Sequence, residues 1–176
     1  MLVLIGPSAS GKTEVAKILM AKYGMKKMVT YTTRPMRLNE QNGIDYHFVS
    51  VPEFQKLAAA SEFIETTFYN NNYYGTRKCD AAPDKVVILD PNGLRKFSEA
   101  LKNEITAVYL ETPKMLRAER MRLRHDSPDL IERRLANDDI VFIKEDLPLD
   151  YVLINDGIDL ETLADEVYDL YRSKLE

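Results

Sequence analysis

Hydrophobic and polar positions along the chain predict strands that alternate with helices. Four short apolar runs are typical of buried parallel strands, at 2–5, 85–89, 105–110 and 151–154. Helical spacing separates these runs at 14–22, 94–102 and 113–124, in a helix that Ser127 and Pro128 begin, and in a last helix. The expected core face of that last helix is Leu160, Leu163, Ala164, Val167, Leu170 and Tyr171. The pattern predicts an α/β fold with a central parallel sheet covered by helices on both faces.

A less regular segment, residues 30–76, interrupts this alternation. It follows a short strand predicted at 27–30, and it contains strands predicted at 45–49 and 63–68 with a helix at 52–60 between them. Three asparagines at 70–72 then form a polar turn. The strands look antiparallel, so we expect a small mixed α/β insertion beside the main sheet.

Length and charge limit the possible functions. The chain has 176 residues, 45% of them hydrophobic, which suits one domain with a single core. Its net charge of −4 argues against binding to nucleic acid or to an anionic membrane, and no apolar run approaches the roughly 18 residues of a membrane span. The single cysteine, Cys79, cannot form an internal disulfide, and the N-terminus lacks a signal-peptide pattern. These features predict a cytoplasmic protein.

The clearest chemical motif lies between the first strand and the first helix. Two glycines that precede a lysine and a hydroxyl residue fit the Walker A pattern, here Gly6, Pro7, Ser8, Ala9, Ser10, Gly11, Lys12 and Thr13. Such glycines let backbone N–H groups surround phosphate oxygens, and the helix N-terminus adds a favourable partial charge. We predict that this P-loop binds a nucleoside triphosphate, with Lys12 on the β- and γ-phosphates and the Thr13 hydroxyl on Mg²⁺.

Residues 114–134 are basic in an otherwise acidic chain, with seven Lys or Arg against four Asp or Glu. Arg117, Arg120 and Arg124 are three or four positions apart, so they share one helix face. Arg117 and Arg122 are interpreted as parts of a solvated helix surface. The alternative is a lid whose arginines neutralise a phosphoryl group in transfer. A P-loop with one polar and one arginine-rich insertion is the layout of a nucleoside monophosphate (NMP) kinase.

Three further stretches resemble the guanylate kinase family. They are Thr32-Thr33-Arg34-Pro35-Met36-Arg37 continuing through Glu40 and Gly43 to Asp45-Tyr46-His47-Phe48-Val49, then Phe63-Ile64-Glu65 with Tyr73-Tyr74-Gly75-Thr76, and Arg133-Arg134-Leu135 with Ile154-Asn155-Asp156. The resemblance covers nearly the whole chain in the family's order. It implies a three-layer P-loop kinase fold in one domain, 1–176, with a core (1–29, 77–113 and 140–176), an NMP-binding region (30–76) and a helical lid (114–139).

The resemblance also implies a site for the phosphate of GMP. Arg34 and Arg37 would hold it, because guanidinium groups match phosphate oxygens in pairs. Tyr46 and Tyr74 would add hydroxyl hydrogen bonds. The alternative for the two arginines is a salt bridge within the loop, with Glu40 or Asp45 as the partner.

The implied guanine site contains a carboxylate and two hydroxyl groups. Glu65 would accept from guanine N1–H and the exocyclic amine, a donor pair that adenine lacks. Thr30 and Thr76 match the hydroxyl residues that the family places near guanine O6. The complete implied GMP set is Thr30, Arg34, Arg37, Glu40, Tyr46, Glu65, Tyr74, Thr76 and Asn92. The alternative for Glu65 is a polar strand residue that faces water.

The resemblance implies that ATP is the phosphoryl donor. Lys12, Mg²⁺, Arg34 and a lid set of Arg120, Arg124 and Arg134 would stabilise the transferring group. The segment Asp90-Pro91-Asn92-Gly93 is two residues shorter than in the family and has one aspartate instead of two. We expect Asp90 to hold a Mg²⁺-bound water and Asn92 to replace the second aspartate. His125 also stands where the family has glycine.

Two other functions fit parts of the sequence. A related P-loop kinase could phosphorylate a different acceptor, such as a ribose bisphosphate. A non-catalytic guanylate kinase-like module could bind peptides. The intact Lys12-Thr13 pair favours catalysis, and Glu65 with Tyr74-Gly75-Thr76 favours guanine as the acceptor base. The leading prediction is therefore phosphoryl transfer from ATP to GMP, and the sequence gives no oligomeric state.

Overall fold

The computed structural model describes residues 1–175, in which strands and helices alternate as predicted. In chain order the elements are β1 (Leu2–Ile5), α1 (Lys12–Tyr23), β2 (Lys26–Lys27), β3 (Tyr31–Thr32), β4 (His47–Phe48), α2 (Val51–Ala59), β5 (Phe63–Tyr69), β6 (Asn72–Arg77), β7 (Lys85–Ile88), α3 (Pro91–Leu101), β8 (Thr106–Glu111), α4 (Lys114–Leu123), α5 (Pro128–Val141), β9 (Tyr151–Ile154) and α6 (Leu160–Leu175). Among these described residues, no helix is both long and apolar enough to cross a membrane.

Five parallel strands form the central sheet, in the spatial order β2-β7-β1-β8-β9. Side chains alternate across each strand, so the central strand β1 contributes to two cores. Leu2 and Leu4 pack with residues of α1 and α6, whereas Val3 and Ile5 pack with residues of α3. The predicted parallel sheet with helices on both faces is therefore confirmed. This arrangement places the loop after β1 at the carboxyl edge of the sheet, where ligands of such folds bind.

A second, mixed sheet is formed between residues 31 and 77, in the order β4-β3-β6-β5. Asn70 and Asn71 connect β5 to β6 with φ angles of +47° and +59°, as a type I′ turn requires. One face of the sheet is aromatic and is covered by α2. There the ring of Phe54 stacks on Phe63 and Tyr73, with centroids 4.5 and 5.4 Å apart. Strand alternation directs polar side chains to the opposite face.

The helices α4 and α5 form a hairpin beside the P-loop, packed around Ala118, Met121 and Ile131. The side chain of Ser127 accepts from the N–H of Leu130 at 3.4 Å, which confirms the predicted N-cap of α5. At the end of α4, the N–H of Asp126 donates to the carbonyl of Met121. With a second bond from the N–H of His125 to Arg122, this closes a Schellman motif and fixes the turn between the two helices.

Three predicted details differ from the structure. The helix α3 begins at Pro91 rather than at 94, because the side chain of Asp90 caps it by accepting from the N–H of Gly93 at 2.7 Å. The strand predicted at 27–30 is wrong, since β2 ends at Lys27 in the central sheet and β3 begins at Tyr31 in the second sheet. On the predicted core face of α6, four of the six residues are buried, namely Leu163, Ala164, Val167 and Tyr171, while Leu160 and Leu170 are half-buried.

Candidate active site

The P-loop, residues 6–13, needs glycine at both of its glycine positions. Gly6 has φ = +149°, and a Cβ there would lie 2.5 Å from the carbonyl oxygen of Leu110 in β8. Gly11 has φ = +98° at the N-cap of α1, where a Cβ would lie 2.8 Å from Nδ2 of Asn155. A side chain at either position would be strained and would clash. The first N–H groups of α1 have no intrahelical partners, so this end of the helix suits an anion.

The lysine of the motif lies across the loop. Its Nζ donates to the carbonyls of Gly6 and Pro7 at 2.7 Å each, and to Oγ of Ser10 at 3.2 Å. Burial lowers the pKa of Lys12 to about 8, and the nearby carboxylate of Asp138 opposes that shift. A cation is thus held where the phosphates of a bound nucleotide would meet the loop.

The half-buried Arg120 and the buried Asn155 attach the lid to the P-loop. Arg120 donates from Nη1 to the carbonyl of Ala9 and from Nη2 to Oδ1 of Asn155, both at 3.1 Å. Asn155 is fully buried and donates from Nδ2 to the carbonyl of Ser10 at 2.9 Å. Asn155 lies in one of the stretches that resemble the family, but no role was predicted for it. Its position directly after the buried strand β9, at the same sheet edge as the P-loop, was the available signal.

The other predicted lid arginines occupy different positions. Arg124 lines a cavity of about 50 Å³ together with Lys12 and Thr13. Arg134 is 44% exposed and donates from Nη1 to Oδ2 of Asp126 at 3.0 Å. The structure therefore brings Arg120 and Arg124 to the P-loop and pairs Arg134 within the lid.

Arg117 is not part of a solvated surface, and that interpretation was wrong. Its side chain is 7% exposed, and its Nη1 lies 3.0 Å from Oδ2 of the equally buried Asp138. A buried charge requires such a partner, and nothing in the sequence pattern identified Asp138 as one. Arg122 is exposed, as predicted.

The predicted phosphate-binding residues of the second sheet cluster around one ion pair. Arg34 Nη2 lies 2.6 Å from Oε1 of Glu40, and the guanidinium lies 5.3 Å from the ring centre of Tyr46. The alternative salt bridge is thus present, with Glu40 as the partner. The bonds from Arg34 and from the N–H of Arg37 hold the pKa of Glu40 below its usual value. Tyr74 joins the group with its ring 6.1 Å from that of Tyr46, while Arg37 is exposed.

The predicted guanine-binding residues lie partly together. Thr76 is buried, and its hydroxyl donates to Oε1 of Glu65 at 3.2 Å. Thr30 is half-buried and lines a groove of about 330 Å³ that also reaches Thr13 of the P-loop. Asn92 is exposed in the first turn of α3, and no hydrogen bond joins it to the other predicted GMP residues within residues 1–175.

The residues predicted to hold Mg²⁺ supply hard oxygen donors. Thr13 is the second residue of α1 and is exposed at the P-loop, and Asp90 lies two residues after the end of β7, the strand next to β1. One oxygen of Asp90 caps α3, which leaves the other for a water or a metal ion. Within residues 1–175 there is no group of three or more acidic, histidine or cysteine side chains that could hold a metal. One hydroxyl and one carboxylate fit a nucleotide-bound Mg²⁺, which keeps waters and takes phosphate oxygens as its other ligands.

The comparison with known families decides the assignment. A model described as guanylate kinase matches residues 1–171. The chain belongs to the guanylate kinase family. This family member is 35% identical over 169 residues to a guanylate kinase of Dechloromonas aromatica, covering 90% of this chain and 82% of the relative. It is 33% identical over 168 residues to one of Symbiobacterium thermophilum, covering 90% and 78%.

A solved structure supports the same fold for this guanylate kinase family member. The crystal structure of guanylate kinase from Anaplasma phagocytophilum matches with a TM-score of 0.64 and 24% sequence identity. The match covers 99% of this chain and 85% of that chain. The family and the α/β fold predicted from the sequence are therefore confirmed.

Proposed function

We infer that this chain transfers the γ-phosphoryl group of ATP to GMP, giving ADP and GDP. The named relatives are guanylate kinases, and the family model extends over nearly the whole chain. The structural observation that best supports this function is the groove of about 330 Å³ that both Thr13 and Thr30 line. Thr13 belongs to the nucleoside triphosphate motif and Thr30 to the predicted guanine site, so donor and acceptor would meet in one cleft.

GMP would bind on the polar face of the second sheet. Arg34 would direct its remaining N–H groups to the phosphate, and the ion pair with Glu40 supports this because it fixes the guanidinium plane. Arg37, which is exposed, would move onto the same phosphate, with the hydroxyls of Tyr46 and Tyr74 beside it. The cluster offers both charge and hydroxyl donors, as a phosphate monoester requires.

The base would be read mainly by Glu65. Its carboxylate would accept from N1–H and the exocyclic amine of guanine, with Thr76 and Thr30 near O6. Adenine presents an acceptor at N1, which would leave the Glu65 charge unpaired. Polar sites of this kind discriminate by factors of about 10⁴–10⁵. We propose that Asn92 contacts guanine in place of the second aspartate of the family. For this contact, the first turn of α3 would have to approach the base.

The reaction requires alignment and charge stabilisation more than covalent chemistry. P-loop N–H groups and Lys12 would hold the β- and γ-phosphates, and Arg120, Arg124 and Arg134 would balance charge on the transferring group. Mg²⁺, held by Thr13 and through water by Asp90, would neutralise phosphate charge when bound. The GMP phosphate is already anionic, so no general base is required.

In this proposal the core binds ATP, the NMP-binding region binds GMP and the lid supplies arginines. The predicted bounds are 1–29, 77–113 and 140–176 for the core, 30–76 for the NMP-binding region and 114–139 for the lid. Closure of the latter two over the nucleotides would exclude water. A cytoplasmic setting stays a prediction, and the exposed, unpaired Cys79 supports it.

A coupled assay of ADP release over a panel of acceptors tests the function. The panel contains GMP, dGMP, AMP, UMP and a ribose phosphate, each with ATP and Mg²⁺. We expect turnover with GMP and loss of at least about 10³-fold in Lys12→Ala, because an electrostatic contact to the transferring group is removed. Turnover with the sugar phosphate alone would favour a related kinase, and no turnover with any acceptor would favour a binding module.

A further inference from the structure

Two charged residues outside the proposed catalytic set are buried together next to the P-loop. Arg117 and Asp138 are 6% and 4% exposed, and their side chains form an ion pair of 3.0 Å. Replacing such a pair by apolar side chains of similar size is often neutral for stability. The contacts that the pair makes with its neighbours are therefore more informative than its own energy.

Those contacts lead to the P-loop from two sides. The carboxylate of Asp138 accepts from the N–H of Ser8 at 2.9 Å and from its hydroxyl at 3.3 Å. Arg117 Nε donates to the carbonyl of Thr112 at 3.2 Å, and the Thr112 hydroxyl donates to the carbonyl of Ser10 at 3.4 Å. The buried pair thus fixes the outer side of the loop at Ser8 and, through Thr112, at Ser10.

The pair also joins the two helices of the hairpin where they meet the core. Arg117 is in the first turn of α4 and Asp138 in the last turn of α5, while Arg124 is at the opposite end of α4. The ion pair between Arg117 and Asp138 therefore fixes the start of α4 against the end of α5. Arg120, one turn after Arg117, is in turn bound to the carbonyl of Ala9.

The charge of Asp138 acts on Lys12 as well. Burial is the main cause that lowers the pKa of Lys12. The positive charges of Arg117 and Arg124 lower it further, whereas the carboxylate of Asp138 raises it. Asp138 is therefore placed both to orient the loop, through Ser8, and to favour the charged form of its lysine.

We propose that Asp138, held in place by Arg117, is a positioning residue that preorganises the P-loop for the phosphates of ATP. By binding the Ser8 peptide it fixes the loop before the nucleotide arrives, so that less ordering is needed on binding. The proposal rests on the inferred role of ATP as the donor. It concerns the donor site only and leaves the GMP site unchanged.

The test compares Asp138→Asn with the double variant Arg117→Met/Asp138→Leu. The first keeps the shape of the side chain and removes its charge, and the second replaces the ion pair by apolar groups of similar length. Asp139→Asn is the matched control, since Asp139 is the next residue, is half exposed and pairs with Lys114 on the surface. The measurements are ATP affinity by calorimetry, KM for each nucleotide, the alkaline limb of kcat/KM for ATP, and the melting temperature Tm.

We expect both Asp138 variants to bind ATP about tenfold more weakly, the loss typical of one hydrogen bond to a charged group, with KM for GMP within about twofold. We also expect the alkaline limb to move to lower pH in Asp138→Asn, and Asp139→Asn to behave as the unmodified protein. If Asp138→Asn does not fold, the double variant carries the test.

Two outcomes overturn the proposal. One is unchanged ATP affinity in a folded Asp138 variant. The other is an equal rise of KM for ATP and GMP that follows the fall in Tm, which indicates a purely structural role. Failure of the inferred function is distinguishable, because ATP would still bind to the unmodified protein while GMP would not stimulate ADP release.

Discussion

Arg120 and Asn155 are joined by a hydrogen bond of 3.1 Å from Nη2 to Oδ1. The same amide group of Asn155 donates to the carbonyl of Ser10 at 2.9 Å, and the side chain has no exposed surface. One buried amide therefore satisfies a lid arginine and a P-loop carbonyl together. Its removal would leave both groups without that partner in the interior.

We expect Asn155→Ala to lower kcat about 10–100-fold, because Arg120 loses the contact that fixes its guanidinium beside the P-loop. The free energy of unfolding should fall by about 1–3 kcal/mol, the usual effect of an unsatisfied buried polar group. Steady-state kinetics and thermal unfolding check both effects. Asp156→Ala, at the adjacent exposed position, is the control. A folded Asn155→Ala enzyme with full kcat would contradict the role given to Arg120.

The base-reading role of Glu65 predicts a selective effect. Glu65→Gln replaces an acceptor oxygen by a donor amide, so one N–H of guanine would lose its partner. We expect KM for GMP to rise about 10²-fold while ATP affinity by calorimetry stays within about twofold. Glu62→Gln is a suitable control, because Glu62 pairs with Arg77 in the same hairpin. Similar losses for ATP and GMP in Glu65→Gln would count against recognition of the base.

Local patterns explain which features could be predicted from the sequence. The P-loop glycines and the Ser127 cap are each set within a few residues, and the alternation of apolar runs predicts the central sheet. The contact of Asp138 with Ser8 joins residues 130 positions apart, and that of Asn155 with Ser10 joins residues 145 positions apart. The hydrophobic periodicity of the sequence cannot predict such contacts, because they depend on how helices and strands pack. The strand predicted at 27–30 failed for the same reason, since Lys27 pairs with β7 in the central sheet and the next paired residue, Tyr31, belongs to the second sheet.

The turn after α4 predicts a stabilising substitution. His125 has φ = +63° at the C′ position of the Schellman motif, where glycine has no Cβ penalty. We expect His125→Gly to stabilise the protein by about 1 kcal/mol, the left-handed penalty less the entropy of the unfolded glycine, and to raise Tm by about 2–4 °C. His125→Ala keeps the strain and should leave Tm nearly unchanged. Equal melting temperatures for the Gly and Ala variants would show that the turn stores no such strain.

The half-buried position of Lys12 predicts how activity depends on pH. Its pKa of about 8 means that the free enzyme loses the positive charge of the P-loop as pH rises through that value. We expect kcat/KM for ATP, which reports the free enzyme, to be constant below this pH and to fall above it. Bound phosphates raise the pKa of the lysine, so kcat at saturating ATP should fall only at higher pH.

Stability should respond to the same group in the opposite direction. Because the pKa of Lys12 is lowered from 10.5 to about 8 on folding, the unfolded chain binds more protons between these two values. The contribution of Lys12 to the free energy of unfolding therefore rises with pH across that window while ATP binding weakens. Chemical denaturation between pH 7 and 10 of the unmodified protein and of Lys12→Met isolates this contribution, since other groups titrate in both. A value of kcat/KM for ATP that stays constant to pH 9.5, with the same pH dependence of stability in both proteins, would contradict the assigned state of Lys12.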